Sequence, residues 1–468
     1  MIVSYLINKG RLNMKILIVN GSPKGKYSVT LQTLNYLEIL HPEHEYKVIH
    51  AGQIIKKLQR DFTPALEMLE WAELIVFSYP IYTFIAPSQL HYFIDLMKKS
   101  GVDFSNKYAT QITTSKHFYD ITAHKYVEDN CYDMNMKVIK GLSADMDDLT
   151  TEKGQKDAEE FWKLVLWSCE NDFFEPIVKK AVSFTTVKAN PTADIIAKSG
   201  KEVVVVTDAG AEDTNLKDMI KRFTAVLPMK CKVVNIAEYP IKGGCLGCFK
   251  CAVSGKCVYK DKFDEFLRNE IQSGDAIVYA FTVRDHSMGP RFKMYDDRQF
   301  CNGHRTVTMG MPIGYIVSGP YSQEANLQMI VEGRAEVGGN FLCGVATDEK
   351  NPDGEIDRLA KTLAYAVQRG YTRPANFYGV GGMKIFRDLI FVMQGMMKAD
   401  HKFYKEHGQY DFPQKQMGRL IAMYLVGGLM SLPMPKGNPK LTNIMNEGML
   451  MPYNAVLEKA KKKISEDK

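Results

Sequence analysis

Lys15–Gly21 reads KILIVNG, a continuous run of apolar residues that ends in an asparagine and a glycine. Such a run is typical of a strand that is buried on both faces, as the strands of a parallel sheet are. A polar loop, SPKGKYSVT, and a segment with helical periodicity, LQTLNYLEIL, follow it directly. This order of strand, loop and helix predicts the first unit of an α/β sheet.

Further strand-like segments recur along the first part of the chain at intervals long enough for a helix. They lie at Tyr46–His50, Leu74–Ser78, Tyr108–Thr113 and near Met136–Leu142. Helical patterns lie between and after them, at Ser88–Lys99 and Gly154–Ser168. Strands that alternate with helices predict a doubly wound parallel sheet.

The same plan then starts again after a linker-like segment, Lys188–Gly200. The second set of strand-like segments comprises Glu202–Thr207, Lys232–Ile236, Ala276–Phe281, Ile313–Val317 and Phe341–Val345. A helical pattern at Asp353–Gly370 closes the set. We therefore predict two tandem α/β domains, at residues 14–187 and 200–372.

Length and composition are those of a globular protein with two or three domains. Of the 468 residues, 45% are hydrophobic and 24% are charged, which excludes a disordered or collagen-like chain. Nine cysteines are too few for a disulfide scaffold of this length, and MIVSYLINKGRLN lacks the apolar run of a secretory signal. We expect a reduced, cytoplasmic protein, and the sequence leaves open whether the chain starts at Met1 or Met14.

Residues 373–468 differ from the rest of the chain in composition. They hold 15 lysines and arginines against 8 acidic residues, whereas the preceding residues hold 45 and 46, and they carry 11 of the 25 methionines. Because the basic excess is confined to this end, nucleic acid is not expected as the main partner. We expect a Met-rich, basic helical extension that contacts a membrane surface or a protein. Its longest apolar stretch, Leu420–Met434, is shorter than the roughly 20 residues of a membrane-spanning helix.

The loop after the first strand has the composition of an anion-binding turn. Gly21-Ser22-Pro23-Lys24 continues to Ser28 and Thr30, and this pattern is neither a Walker A loop nor G-x-G-x-x-G. Small residues at the start of a helix let backbone N–H groups and hydroxyls converge on a phosphate, and Lys24 supplies positive charge. The alternative is an ordinary turn between a strand and a helix.

Two further loops are expected at the same edge of the sheet. Ser78–Thr83 reads SYPIYT after the third strand, and Thr113–His117 reads TTSKH after the next one. Ligands of open α/β sheets bind at the carboxyl ends of the strands, where a Pro-aromatic loop can stack on a flat ring. We expect Tyr82 and His117 to shape the substrate side of such a site.

The most specific motif is a group of four cysteines within 13 residues. Their spacing is Cys245-x2-Cys248-x2-Cys251-x5-Cys257, and Gly243, Gly244, Gly247 and Gly255 lie among or beside them. Thiolates are soft ligands that suit zinc or an iron–sulfur cluster, and zinc sites more often split their ligands into two distant pairs. A [4Fe–4S] cluster, zinc and a loop of reduced thiols therefore stay as alternatives. The other five cysteines are scattered along the chain.

With these motifs in view, the chain resembles the flavodoxin-like NADPH-dependent FMN reductase superfamily, and within it is similar to the iron–sulfur flavoproteins. The likeness covers roughly residues 14–370 and rests on GSPKGKYSVT, SYPIYTFIAPSQLHYFIDLM and CLGCFKCAVSGKC. It implies two tandem flavodoxin-like domains, each with a doubly wound parallel sheet, followed by the helical extension. It also implies FMN as a cofactor and a [4Fe–4S] cluster on Cys245, Cys248, Cys251 and Cys257.

The resemblance assigns the flavin site to the first domain. It implies that the FMN phosphate binds to Ser22, Lys24, Ser28 and Thr30. It implies that the isoalloxazine ring borders on Pro80, Ile81, Tyr82 and Thr83. Thr114 and Ser115 would complete the site, and no catalytic residue is assigned.

The second domain departs from the family pattern at its flavin loops. Its first loop, TDAGAEDTN, has Asp208, Glu212 and Asp213 where a phosphate would bind, and its second loop lacks the Pro-Ile-Tyr tripeptide. Since like charges repel, a second FMN is not expected. The helix with Tyr295–Arg298 still resembles the family. We therefore expect a fused pseudo-dimer, with FMN in the first domain and the cluster in the second.

Three functions follow from this sequence. The first is a flavin-dependent oxidoreductase or electron-transfer protein that passes electrons from NAD(P)H or a ferredoxin-like donor to a small acceptor or a redox partner protein. The second is an NAD(P)H-dependent FMN or quinone reductase without a cluster. The third is a non-enzymatic binding or scaffold protein. The sequence leaves open the donor, the acceptor and the oligomeric state.

Overall fold

The computed structural model describes residues 13–176, 184–193 and 198–430, together with isolated positions beyond 430. Its first sheet has six parallel strands. They are β1 (Lys15–Asn20), β2 (Glu45–Ile49), β3 (Leu74–Pro80), β4 (Tyr108–Ser115), β5 (Lys137–Val138) and β6 (Leu142–Asp145). Their order is β2-β1-β3-β4-β5. The short β5 and the following β6 pair with successive parts of β4.

A second parallel sheet repeats this arrangement. Its five strands are β7 (Ser199–Thr207), β8 (Met229–Asn235), β9 (Ala276–Thr282), β10 (Pro312–Ser318) and β11 (Phe341–Thr347). Their order is β11-β10-β9-β7-β8, which is the order of the first sheet read from the other edge. The predicted pair of doubly wound α/β domains is therefore confirmed, and the strand order in both is that of flavodoxin-like folds.

One strand differs from its prediction. The apolar segment near Met136–Leu142 was expected to form a single strand, but it is divided into β5 and β6. Gly141 lies at the division, where a Cβ atom would stand 2.4 Å from the carbonyl oxygen of Gln111 on β4. The register against β4 shifts by one residue between the Ala109–Val138 pair and the Ile112–Leu142 pair, so an extra residue interrupts the strand.

Helices cover the faces of the two sheets. Those of the first half are α1 (Val29–Leu40), α2 (Ala51–Leu58), α3 (Thr63–Trp71), α4 (Ser88–Lys99), α5 (Asp120–Asp133) and α6 (Glu152–Asn171). Those of the second half are α7 (Thr214–Val226), α8 (Lys250–Ser254), α9 (Phe263–Phe266), α10 (Gly289–Arg298), α11 (Ala325–Gly338) and α12 (Pro352–Arg369). The C-terminal region adds α13 (Phe377–Val392), α14 (Lys398–Glu406) and α15 (Met417–Met430). Short 3₁₀ turns and one π turn connect them.

Within the described ranges, three hydrophobic cores hold these layers together. One outer core lies between β-strands of the first sheet and helices α1 and α6, around Trp162. Another lies between the second sheet and helices α7 and α12, around Phe223. The third and largest contains buried residues of both sheets, for example Phe77 and Phe281. Because this central core is shared, the two α/β halves form one compact unit that extends to Gln409.

A group of buried charges lies where α10 packs against α4. Lys293, Asp296 and Asp297 of α10 are fully buried. The Lys293 ammonium pairs with Asp297, and Arg334 of α11 pairs with Asp296. Two positive and two negative charges thus cancel, as buried charges must if they are not to cost several kcal/mol each.

The C-terminal region is divided between two compact units. Helices α13 and α14 belong to the first unit, and α13 packs against α11. The second unit begins at Tyr410, and its helix α15 exposes apolar side chains that include Leu420, Ile421 and Tyr424. Within the described ranges, no helix is both long and apolar enough to cross a membrane. The end of the apolar stretch predicted at Leu420–Met434 lies outside the described residues.

The two halves are also joined by a histidine between two carboxylates. His286 follows β9, and its ring nitrogens lie 3.0 Å from Asp133 of α5 and 2.9 Å from Glu324 at the start of α11. Burial alone would lower the pKa of His286, but the hydrogen bonds to Asp133 and Glu324 outweigh it and raise the pKa to about 9. The imidazole is therefore charged in the folded protein at neutral pH.

We predict that the hydrogen bonds of His286 to Asp133 and Glu324 make the free energy of unfolding depend on pH. Because the folded pKa of His286 lies above its usual value of about 6.5, its contribution is complete below pH 6.5 and is lost as pH rises through 9. After allowance for the partial exposure of Asp133, we expect a loss of about 1–2 kcal/mol in the free energy of unfolding. Urea denaturation at pH 6 and pH 9 measures it. His286→Asn should remove this part of the pH dependence, whereas His407→Asn, at an exposed histidine, should keep it; an unchanged slope in His286→Asn contradicts the assignment.

Candidate functional site

The loop between β1 and α1 forms one side of the candidate site. Its shape is held by Asn20, whose side chain accepts a hydrogen bond from the Ser22 N–H at 3.1 Å and donates one to the Gly25 carbonyl at 2.8 Å. Ser28 stands at the N-cap of α1, and its hydroxyl does not cap the helix. Among the described residues, no side chain accepts from the first N–H groups of α1, and a helix start of this kind can bind an anion.

The third loop reaches the first one across the sheet edge. The hydroxyls of Thr30 on α1 and Thr114 at the end of β4 are hydrogen-bonded at 2.6 Å. Ser22, Ser28 and Thr30 are almost fully buried. Hydroxyls from two segments thus converge at the carboxyl ends of β1 and β4, two parallel strands that are separated only by β3.

The second loop, between β3 and α4, makes a tight turn. Tyr82 and Ile85 pair in a short antiparallel bridge, and the two residues between them have positive φ, 45° at Thr83 and 72° at Phe84. Lys293 donates to the Tyr82 carbonyl at 2.9 Å, and Asp297 accepts from the Ser88 N–H at 2.7 Å. The buried charges of α10 therefore fix a strained loop of the other half.

All ten residues that the resemblance assigns to FMN line one cavity of about 380 Å³. They are Ser22, Lys24, Ser28, Thr30, Pro80, Ile81, Tyr82, Thr83, Thr114 and Ser115. This volume is in the range of small-molecule sites. The opposite walls come from the second half and from α13, so the cavity is enclosed by both α/β halves.

The four-cysteine loop lies directly beside this cavity. Cys245 and Cys251 line it, and Gly247 comes so close to Tyr82 that a Cβ atom would stand 1.9 Å from the tyrosine oxygen. Gln89 of α4 donates to the Cys245 carbonyl at 3.2 Å, and Lys24 lies over the Phe249 ring. The loop is therefore held against the first half on both sides.

All four predicted ligands also surround one smaller cavity. It is lined by Cys245, Cys248, Cys251 and Cys257, and also by Cys301. The Gly247 N–H donates to the Cys245 sulfur at 3.4 Å, and an Arg298 N–H to the Cys257 sulfur at 3.9 Å. Burial raises the pKa of the Cys245 thiol and raises that of Cys251 to about 11. Both are neutral at pH 7 unless a cation stabilises their thiolates.

In the second half, the equivalent anion position is filled by the chain itself. Asp213 at the N-cap of α7 accepts hydrogen bonds from the Gly210 N–H at 2.8 Å and from Thr282 at 2.7 Å. Arg284, which occupies the place of Tyr82 in an equivalent turn, pairs with Asp213 at 2.9 Å. Burial and the charge of Asp213 raise the pKa of Asp208 to about 6. A phosphate would have to displace this ion pair and face a further carboxyl group.

The structure adds residues that the sequence did not indicate. Cys301 joins the four-cysteine cavity from the 3₁₀ turn after α10. His304 and Phe386 line the large cavity. Their sequence surroundings have no motif, because only the tertiary fold brings them to the site. His117, expected on the substrate side, is instead exposed and bonded to Asp120 at 3.0 Å.

Comparisons with known proteins agree with the fold. Residues 14–145 match the model of a family described as having a flavodoxin-like fold. No curated protein matches the chain.

Solved structures with some similarity include an FMN-dependent NADH-azoreductase from Bacillus anthracis in complex with FMN. It is 13% identical, covers 34% of this chain and 99% of its own, and has a TM-score of 0.27. A putative quinone reductase from Klebsiella pneumoniae is 15% identical, covers 35% of this chain and 87% of its own, and has a TM-score of 0.26. An NAD(P)H:quinone oxidoreductase from Methanothermobacter marburgensis is 13% identical, with coverage of 34% and 96% and a TM-score of 0.25. These similarities are too low to carry an argument about activity.

We predict that Gly247→Ala disturbs the contact between the cysteine loop and Tyr82. Gly247 has φ of 59°, so alanine costs about 1 kcal/mol of strain, and its Cβ must also push the tyrosine away. Gly255→Ala is the matched control, because its φ is 73° but its nearest neighbour is 3.9 Å away. Chemical denaturation should show a loss of about 2 kcal/mol or more for Gly247→Ala and about 1 kcal/mol for the control. Equal losses would mean that the close approach to Tyr82 has no energetic consequence.

Proposed function

We propose that the protein is an FMN-dependent oxidoreductase that also carries a [4Fe–4S] cluster, with one site of each kind in a single chain. One observation carries this proposal: the ten residues assigned to FMN and two of the four clustered cysteines line the same cavity. Electron transfer between two cofactors needs such proximity. FMN supplies hydride and one-electron chemistry, and the protein supplies position and environment.

The first half fits FMN by the chemistry of its loops. The uncapped start of α1, with the hydroxyls of Ser28 and Thr30 and the charge of Lys24, offers donors to a phosphate. Pro80–Thr83 offer a flat, mainly apolar border to a ring system, and their strained turn is held in place by Lys293 and Asp297. A preformed loop of this kind lowers the cost of ordering on binding.

The cysteine loop fits a soft metal centre by its donor set. Four thiols surround one cavity, and two of them are held neutral by burial. Metal coordination releases such protons and compensates the buried thiolates. Arg298 beside Cys257 and the Gly247 N–H on Cys245 supply positive partners to sulfur. These contacts favour a bound cluster over a loop of unused thiols.

The second half supports a single FMN per chain. Asp213 and Arg284 occupy the place that a second phosphate would need. We propose that residues 14–187 form the FMN domain, residues 200–372 the cluster domain and residues 373–468 the basic helical extension. The electron donor is then NAD(P)H or a ferredoxin-like protein, the acceptor is a small molecule or a redox partner protein, and the compartment is the cytoplasm.

Cofactor analysis of anaerobically purified protein tests the proposal. We expect about one FMN and four irons with four sulfides per chain, and a broad absorbance near 400 nm beyond the flavin bands. Cys248→Ala should lose most of the iron and keep the FMN. Cys343→Ala, at a half-buried cysteine outside the loop, is the matched control and should keep both.

Other outcomes select the alternatives. One FMN without iron, unchanged in Cys248→Ala, would support an NAD(P)H-dependent FMN or quinone reductase whose cysteine loop is structural. Two FMN per chain would overturn the assignment of a closed second site. Absence of FMN would contradict the interpretation of the Ser22 loop and favour a binding or scaffold protein.

A further inference from the structure

The C-terminal extension forms part of the large cavity. Ile385, Phe386 and Leu389 of α13 line the cavity on the side opposite the FMN-assigned loops. Gly379 and Gly382 bring α13 close to α11, since a Cβ atom at Gly382 would stand 2.5 Å from Val337. The side chain of Asn376 caps the helix by accepting from the Tyr378 N–H at 2.9 Å. Helix α13 is therefore built into the site.

Helix α14 contributes a fully buried carboxylate. Asp400 accepts hydrogen bonds from the backbone N–H and the Nδ1 of His304, at 3.1 and 3.0 Å. Its other oxygen lies 3.2 Å from Arg305, which also reaches the Cys251 carbonyl at 3.4 Å. Gly303 leaves room for this arrangement, because a Cβ atom would stand 2.3 Å from Asp400. One aspartate of the extension thus holds both a cavity histidine and the cysteine loop.

The position of His304 leaves one ring nitrogen available. Its ring packs edge to face against the rings of Phe300 and Phe386, with ring centroids 5.8 and 5.1 Å apart. Tyr404 of α14 donates to its carbonyl at 3.3 Å, so the backbone is held as well. With Nδ1–H bound to Asp400, the neutral ring presents Nε2 as an acceptor and the cation presents it as a donor. Within the described part of the chain, no hydrogen bond engages Nε2.

We propose that His304 is the proton donor to the electron acceptor and that Asp400 of the extension is its positioning residue. The inference rests on the function proposed above. Phe300 and Phe386 contact the His304 ring, and further aromatic and aliphatic side chains of the cavity lining include Phe118 and Val307. They fit a planar, apolar acceptor that becomes negatively charged on an oxygen when reduced, as a quinone does.

The proposed step balances as follows. With FMN bound, a hydride equivalent from NAD(P)H, which is oxidised to NAD(P)+, would reduce the acceptor, and the carbonyl π bond of the acceptor would become an oxygen anion. The Nε2–H bond of the His304 cation breaks as the new O–H bond forms. The neutral imidazole then takes a proton from water, and Asp400 stabilises the recharged ring. General acid catalysis of this kind contributes about 10²–10⁴-fold to the rate.

Binding gives a test that does not require turnover. The anion of 2-hydroxy-1,4-naphthoquinone has the charge of the reduced product, whereas 1,4-naphthoquinone is neutral. With the FMN-loaded protein, we expect His304→Gln to weaken the anion at least tenfold and to change the affinity of the neutral quinone less than twofold. Asp400→Asn should act in the same direction. His407→Gln, at an exposed histidine beyond α14, is the matched control and should change neither.

Steady-state kinetics gives the second test. Ferricyanide takes one electron and no proton, so His304→Gln should keep its rate within twofold. The same variant should lower kcat for 1,4-naphthoquinone at least tenfold with KM nearly unchanged. If His304→Gln and the native protein reduce each acceptor at the same rate and bind the anion equally well, the role of His304 is overturned. If the native protein does not bind FMN or does not reduce ferricyanide, the proposed function is overturned instead. The anion-binding comparison is then made on the protein as purified, where equal binding by the native protein and His304→Gln overturns the role of His304 as well.

Discussion

The arrangement of the site depends on four charges between α4, α10 and α11, of which three are fully buried. Lys293, Asp296 and Asp297 are fully buried, and with Arg334 they sum to zero. An unpaired charge in such a place costs several kcal/mol, so the helices have little freedom to separate or slide. The same groups also bind the Tyr82 carbonyl and the Ser88 N–H. The ion pairs that join the two halves therefore also fix the loop between β3 and α4, which lines the cavity.

The corresponding loop edges of the two sheets show how one backbone plan acquires different properties. Both second loops have the same turn with two positive-φ residues, at Thr83 and Phe84 in one half and at Asp285 and His286 in the other. The difference lies in the side chains. One edge leaves helix N–H groups and hydroxyls facing a cavity, whereas at the other Asp213 accepts from the Gly210 N–H of the loop and pairs with Arg284. The two edges therefore differ in a few side chains on the same turn geometry.

Most of the fold could be predicted from the sequence, because buried parallel strands leave continuous apolar runs such as KILIVNG and EVVVVT. The ten flavin-loop residues could be placed at one edge for the same reason, since the ends of parallel strands meet. Three features could not be predicted. The strand break beside Gly141, which lies against Gln111, is a one-residue shift in the pairing with β4. Cys301 reaches the cysteine loop through a separate turn, and Asp400 reaches His304 across 96 residues. All three are long-range contacts without a local sequence pattern.

Because the two halves share one central core, formation of the cavity does not depend on protein concentration. In an assembly of two separate chains, a site at the interface exists only while the chains are associated, so its occupancy falls on dilution. Here the residues that enclose the cavity are linked by one polypeptide, and Phe77 and Phe281 belong to the same core. The effective concentration of one half near the other is therefore set by the chain and not by expression level. The cavity is therefore retained at any protein concentration at which the chain stays folded.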